Sequence, residues 1–188
     1  MRVYCAENYA AMSRRAANII SAQVITKPDS VLGLATGGTP VGAYQRLVEC
    51  YKEGDLSFAE IRSVNLDEYY GLSPRHEQSY RYFMQSNLFD HIDIKPENTH
   101  VLNGLAKDPA EECAKYNQLI EDLGGIDLQL LGMGHNGHIA FNEPGDDFGL
   151  ETHLVTLTER TIEANTRFFE RKEDVPRQAL TMGIKNIM

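Results

Sequence analysis

A chain of 188 residues is long enough for one domain that buries about 70% of its unfolded surface, and 42% hydrophobic with 24% charged residues is ordinary for a soluble globular protein. The net charge of -9 excludes nonspecific attraction to nucleic acid or an anionic membrane surface, and an apolar run long enough to span a bilayer is absent. Three cysteines (Cys5, Cys50, Cys113), odd in number and without C-x-x-C spacing, point to reduced thiols in a cytoplasmic protein rather than to disulfides or a thiolate zinc site.

The chain opens like a strand at residues 1–5, without the pattern of a secretory signal. From Ala6 to about Val24, apolar Ala11, Ala17, Ile20 and Val24 recur at helical spacing among Arg14, Arg15 and Gln23, and Lys27-Pro28-Asp29 ends that helix. Ser30 to Ala35 reads as a short buried strand. Thr36-Gly37-Gly38-Thr39-Pro40 then turns into a second helix, with Thr39 as expected N-cap and Pro40 in the first helical position, running to about Lys52. Strand, glycine turn and helix in that order aim free backbone N–H groups and a positive helix end at one point, which suits an anion. The loop lacks the Gly-Lys-Ser/Thr of a Walker loop and the G-x-G-x-x-G of dinucleotide folds, so a phosphorylated small molecule fits it better than a nucleotide. A tight turn that merely needs Gly37 or Gly38 at positive φ is the competing reading.

Ile61 to Leu66 reads as the next strand, with Asp67-Glu68-Tyr69 at its carboxyl end, where either acid is a candidate base. Ser79 to His91 and Asp108 to Leu123 read as helices, and Ile126 to Leu131 as a buried strand. That strand runs into Gly132-Met133-Gly134-His135-Asn136-Gly137-His138, a glycine-rich loop in which His138 is the natural proton carrier, imidazole titrating near neutrality. His135 and His138 have no third ligand spaced to join them in a zinc site. Beyond Pro144 the signals weaken to a strand at His153 to Thr158, a loop or short helix to Phe169, and a strand at Gln178 to Met182. Strands alternating with helices predict an α/β fold: a doubly wound, mostly parallel sheet with helices on both faces, a Rossmann-like three-layer sandwich. The pattern stops midway at Met188, so a single domain over 1–188 with an incomplete C-terminal part is expected.

Leu34-Ala35-Thr36-Gly37-Gly38-Thr39-Pro40, Asn65-Leu66-Asp67-Glu68-Tyr69 with Gly71-Leu72, the Ser79-Tyr80 pair, and Gly134 to Pro144 with its Phe141-Asn142-Glu143-Pro144 ending carry a resemblance. Over essentially its whole length the chain resembles the glucosamine-6-phosphate deaminase (glucosamine-6-phosphate isomerase) family. The resemblance implies conversion of glucosamine 6-phosphate and water into fructose 6-phosphate and ammonia, without metal or organic cofactor. It places the chain among hydrolases of amino-sugar metabolism and N-acetylglucosamine catabolism, and leaves room for a homo-oligomer. Thr36, Gly37, Gly38, Thr39 and Arg167 would hold the phosphate. Asp67 would be the base, and His138 would carry the ring-opening proton with Glu143 and Asn136 orienting it.

Some family members have Asp where this chain has Asn136; an amide can orient the imidazole but cannot stabilise its cation as a carboxylate would. Activated members grip an activator phosphate with basic residues after the Asn-Glu-Pro motif. Gly145 to Val155 has none, so no activation by N-acetylglucosamine 6-phosphate is expected. Family chains also continue into a further strand and a phosphate-binding lysine, so weak or no activity is expected of these 188 residues. The alternatives are a 6-phosphogluconolactonase-like hydrolase and a non-catalytic sugar-phosphate-binding module.

Overall fold

The computed structural model describes residues 2–134, 136–144 and 149–188. Four strands, β1 (Val31–Leu34), β2 (Arg62–Asn65), β4 (Thr99–His100) and β5 (Leu128–Gln129), form a parallel sheet in the order β4-β2-β1-β5. Side chains alternate across β1, as extended backbone requires. Leu32 and Leu34 pack with α1 (Tyr9–Thr26), α2 (Val41–Lys52) and Met84 of α3 (Tyr80–Asn87) on one face. Val31 and Ala35 pack with Cys113, Tyr116 and Ile120 of α4 (Pro109–Asp122) on the other. Helices thus cover both faces of the parallel sheet, the three-layer arrangement expected. Among the described residues no helix is long and apolar enough to cross a membrane.

A second, antiparallel sheet was not legible in the sequence. β3 (Asp67–Tyr69), β6 (His153–Thr156) and β7 (Gln178–Thr181) pair in the order β3-β7-β6. Asp67-Glu68-Tyr69 is therefore a strand of its own rather than the end of the preceding one. The chain changes sheets at Leu66, whose N–H reaches Leu34 O at 3.4 Å and whose carbonyl accepts from Met182 N at 2.7 Å. The loop after β5 is tied to the same end of β7: Phe141 N donates to Thr181 Oγ1 at 3.1 Å, and Asn142 Nδ2 donates to Met182 O at 2.8 Å.

Other elements depart from their sequence outlines. Residues 2–5 are exposed and pair with no strand among the described residues. α1 begins at Tyr9 because Asn8 Oδ1 accepts from Ala11 N. β5 pairs over only two residues and is half-buried, since it has a partner, β1, on one side only. Glu159–Asn165 forms a helix, α5, capped by Thr158, and Ile184–Ile187 a final short one, α6. Thr39 does not cap α2. Pro40 occupies the cap position without a side-chain bond, and the free N–H of Gly42 is taken by the Tyr9 hydroxyl at 2.9 Å, so tertiary packing supplies what the local residue was expected to give.

Thr181 and Phe141 are both buried, so losing the bond between them strands a backbone donor away from water. Thr181→Val, nearly the same shape without the hydroxyl, is expected to lower stability by about 1–3 kcal/mol, measured by urea unfolding.

Candidate active site

The carboxyl end of β1, the start of β3, the loop after β5 and the segment following α5 enclose one cavity of about 470 Å³. Thr36, Gly37, Gly38 and Thr39 line one part of it, and Asp67, Asn136, His138 and Arg167 line the rest. Glu143 lies behind this lining, next to His138 and Asn136. Gly37 adopts φ 95°, a conformation that side-chain-bearing residues rarely take, which turns the chain from β1 toward α2. None of the N–H groups of residues 36–39 is paired with a protein acceptor among the described residues, so they remain available to an anion.

The two adjacent acids on β3 have opposite surroundings. Glu68 is almost fully buried and spends both oxygens on backbone donors: Oε1 accepts from Tyr69 N and Tyr80 N, and Oε2 from Arg81 N, at 2.8 to 2.9 Å. It fastens β3 to the start of α3 and has no oxygen left for chemistry. Burial still pushes its carboxyl up, against the lowering pull of those three bonds and of Arg81. Asp67 lines the cavity, and its carboxyl has no side-chain or backbone donor among the described residues. Burial, and then the neighbouring Glu68 charge, push its carboxyl up to about 8. Aromatic rings line the same cavity, where Tyr69 meets Tyr80 at 4.9 Å and Phe141 at 5.8 Å between ring centroids.

Behind the imidazole stands a second carboxylate. His138 Nδ1 lies 3.9 Å from Glu143 Oε2 and is buried with no hydrogen-bond partner among the described residues. Glu143 itself accepts from Asn136 Nδ2 and from Thr161 Oγ1. Burial alone would raise the Glu143 carboxyl, but the bonds from Thr161 and Asn136 together with the His138 charge outweigh it and hold the group below the usual carboxylate range. The His138 ring lies against Gly134, where a Cβ would meet the ring Cε1 at 2.2 Å, so only glycine lets the ring sit there. Asn136 also accepts from His138 N at 3.3 Å, which closes the loop on itself.

Arg160 was missed by sequence reasoning. It lines the cavity on α5, seven residues before Arg167 and so near the same face of the segment, a spacing that was there to be read. Neither arginine forms an ion pair among the described residues, and Arg167 lies over the Phe168 ring at 4.7 Å. Among the described residues no group of three or more His, Cys, Asp or Glu is placed to hold a metal ion. His135 and the start of the acidic segment from which the lack of an activator site was read, residues 145–148, lie outside the described residues.

Residues 6–167 match the family described as glucosamine-6-phosphate isomerases/6-phosphogluconolactonase, and the chain belongs to that family. Within it, the likeness is to the deaminases. The chain is 63% identical over its full length to a glucosamine-6-phosphate deaminase of Lachnoclostridium phytofermentans, covering 80% of that protein. It is 56% identical to one of a Thermoanaerobacter species, covering 74% of it. The solved structure of a monomeric glucosamine-6-phosphate deaminase superposes on the whole chain with a TM-score of 0.97 at 49% identity, with 78% of that protein covered. A 6-phosphogluconolactonase from Thermotoga maritima, with a TM-score of 0.71 at 23% identity over 95% of this chain and 75% of its own, shares the fold alone. The hydrolase class expected from the sequence does not stand: the relatives at this level of identity are named deaminases.

The raised Asp67 carboxyl has a consequence for stability whatever its role. The folded protein keeps that proton up to about 8, whereas an unfolded aspartate releases it near 3.8, so folding takes up a proton in this window and stability falls as pH rises through it. Asp67→Asn, which has no proton to lose, is expected to melt progressively above the unsubstituted protein as pH goes from 4 to 8, with the difference levelling off beyond; melting curves across that range measure it.

Proposed function

We propose that the chain catalyses the isomerising deamination of D-glucosamine 6-phosphate, giving D-fructose 6-phosphate and ammonia. The observation that carries this reading is the 63% identity over the full length to a deaminase. The cavity supports it, since one open pocket offers unpaired backbone donors for an anion, a buried carboxyl group and an imidazole.

The phosphate sits against the N–H groups of the loop from Thr36 to Thr39, with Thr36, Gly37, Gly38 and Thr39 forming its cradle and Arg167 closing on it as a fixed cation. Arg160 adds a second positive charge at the cavity, drawing an anionic substrate toward a chain whose net charge of -9 would repel it. His138 carries the proton from the anomeric hydroxyl to the ring oxygen, which opens the pyranose to the aldehyde. Glu143 and Asn136 hold the imidazole for that transfer.

Asp67 then takes the proton from C2 and returns it to C1. The intermediate is an enolamine, O1 taking a proton from the C2 ammonium as C2 loses its own, and reprotonation at C1 leaves a protonated imine at C2. Water adds to that carbon and ammonia departs, leaving the ketose. A carboxylate whose proton affinity lies near the working pH suits a step in which the same group must first accept and then give a proton. We further propose that the protein works in the cytoplasm, where the free thiols of Cys5, Cys50 and Cys113 stay reduced.

Asp67→Asn is expected to cut ammonia release from glucosamine 6-phosphate by at least about 10³-fold while leaving binding of the substrate within about twofold, because general-base catalysis contributes at about this level. Ammonia release by a coupled assay and substrate binding by calorimetry test it, and full turnover in that variant removes Asp67 as the base.

A further inference from the structure

We infer that Tyr9 is a positioning residue for substrate phosphate, acting on the loop from Thr36 to Thr39 through its hydroxyl. This rests on the reading above that the loop holds the phosphate. Tyr9 stands at the first position of α1, some thirty residues before the loop, and its ring is half-exposed at the loop's outer side. Its hydroxyl has three backbone neighbours: it donates toward Gly38 O at 3.2 Å and Thr39 O at 3.1 Å, and it accepts from Gly42 N at 2.9 Å.

Each of these contacts bears on where the loop's donors point. A trans peptide is planar, so the carbonyl of Gly38 and the N–H of Thr39 face in opposite directions. Drawing Gly38 O toward α1 therefore turns Thr39 N–H away from α1. The same hydroxyl occupies Gly42 N–H, one of the helix-start donors that would otherwise compete with residues 36–39 for an anion or a water molecule. Gly38 has nothing within 4 Å of where its Cβ would lie, so the loop has little packing of its own to hold it at that point. Packing brings the Tyr9 ring close to the start of α2, where a Cβ on Gly42 would meet Tyr9 Cε1 at 3.0 Å and Ser13 Oγ at 2.5 Å. The helix that carries Tyr9 is one of those covering the sheet, packed on α2 through Ala17 and Ile20, so the hydroxyl is delivered by a rigid element.

The test is Tyr9→Phe, which removes one oxygen from a half-exposed ring. With glucosamine 6-phosphate as substrate, KM is expected to rise about three- to tenfold with kcat within about twofold, the size of effect that a single lost hydrogen bond gives. The dissociation constant for inorganic phosphate should rise by the same factor in calorimetry. Unchanged KM and unchanged phosphate affinity overturn the inference. A fall in kcat together with a lowered melting temperature also overturns it, as the mark of a merely structural role. Gly38→Asp, which places a carboxylate in the loop, separates the premise from the inference: if it leaves phosphate affinity intact, the loop does not hold the phosphate and both readings fall.

Discussion

The carboxyl end of β7 is the point on which the site depends. Thr181 pairs with Asp67 across the antiparallel register, its hydroxyl accepts Phe141 N–H, and the next carbonyl, of Met182, accepts from the Asn142 side chain. Two segments about seventy residues apart in sequence are thereby fixed to one buried strand end. One carries Asp67 and the other carries His138. Leu66, bonded to β1 on one side and to Met182 on the other, joins this arrangement to the parallel sheet that presents the glycine loop. A few hydrogen bonds at a strand end thus determine whether glycine loop, carboxylate and imidazole share a cavity.

Within that frame, three acids of similar intrinsic acidity are set to different tasks by their surroundings. Glu68 meets three backbone N–H groups and becomes a fastening between β3 and α3. Glu143 meets hydroxyl and amide donors beside His138 and is held ionised. Asp67 meets burial and a like charge, and its proton affinity climbs. Solvation and hydrogen-bond supply separate a structural anion, an anion held ionised beside an imidazole and a group able to accept and release a proton near neutrality.

Much of the architecture was legible because it is local. The spacing of Ala17, Ile20 and Val24 marks α1, the Asp108-Pro109 pair marks the start of α4, and the glycines after β1 mark the turn. The cap of α2 was misread for the same reason: Thr39 has the right chemistry at the right place, but the donor it would satisfy is taken by a residue from another helix. The small antiparallel sheet escaped notice because β3 is three residues long and its partner arrives more than a hundred residues later. Arg160 was visible as a charge seven residues before Arg167, yet that spacing alone does not tell an arginine facing a cavity from one facing water.

What the sequence determined by itself was the alternation of strands and helices, the glycine loops at strand ends, and a set of chemically able residues, each set by neighbours within a few positions. Only the tertiary structure decided the burial that sets Asp67 apart from Glu68, the hydrogen bonds that hold Glu143 beside His138, and that a tyrosine from α1 reaches the glycine loop. Those outcomes depend on burial and on hydrogen bonds between distant segments, and both exist only once the chain has closed on itself.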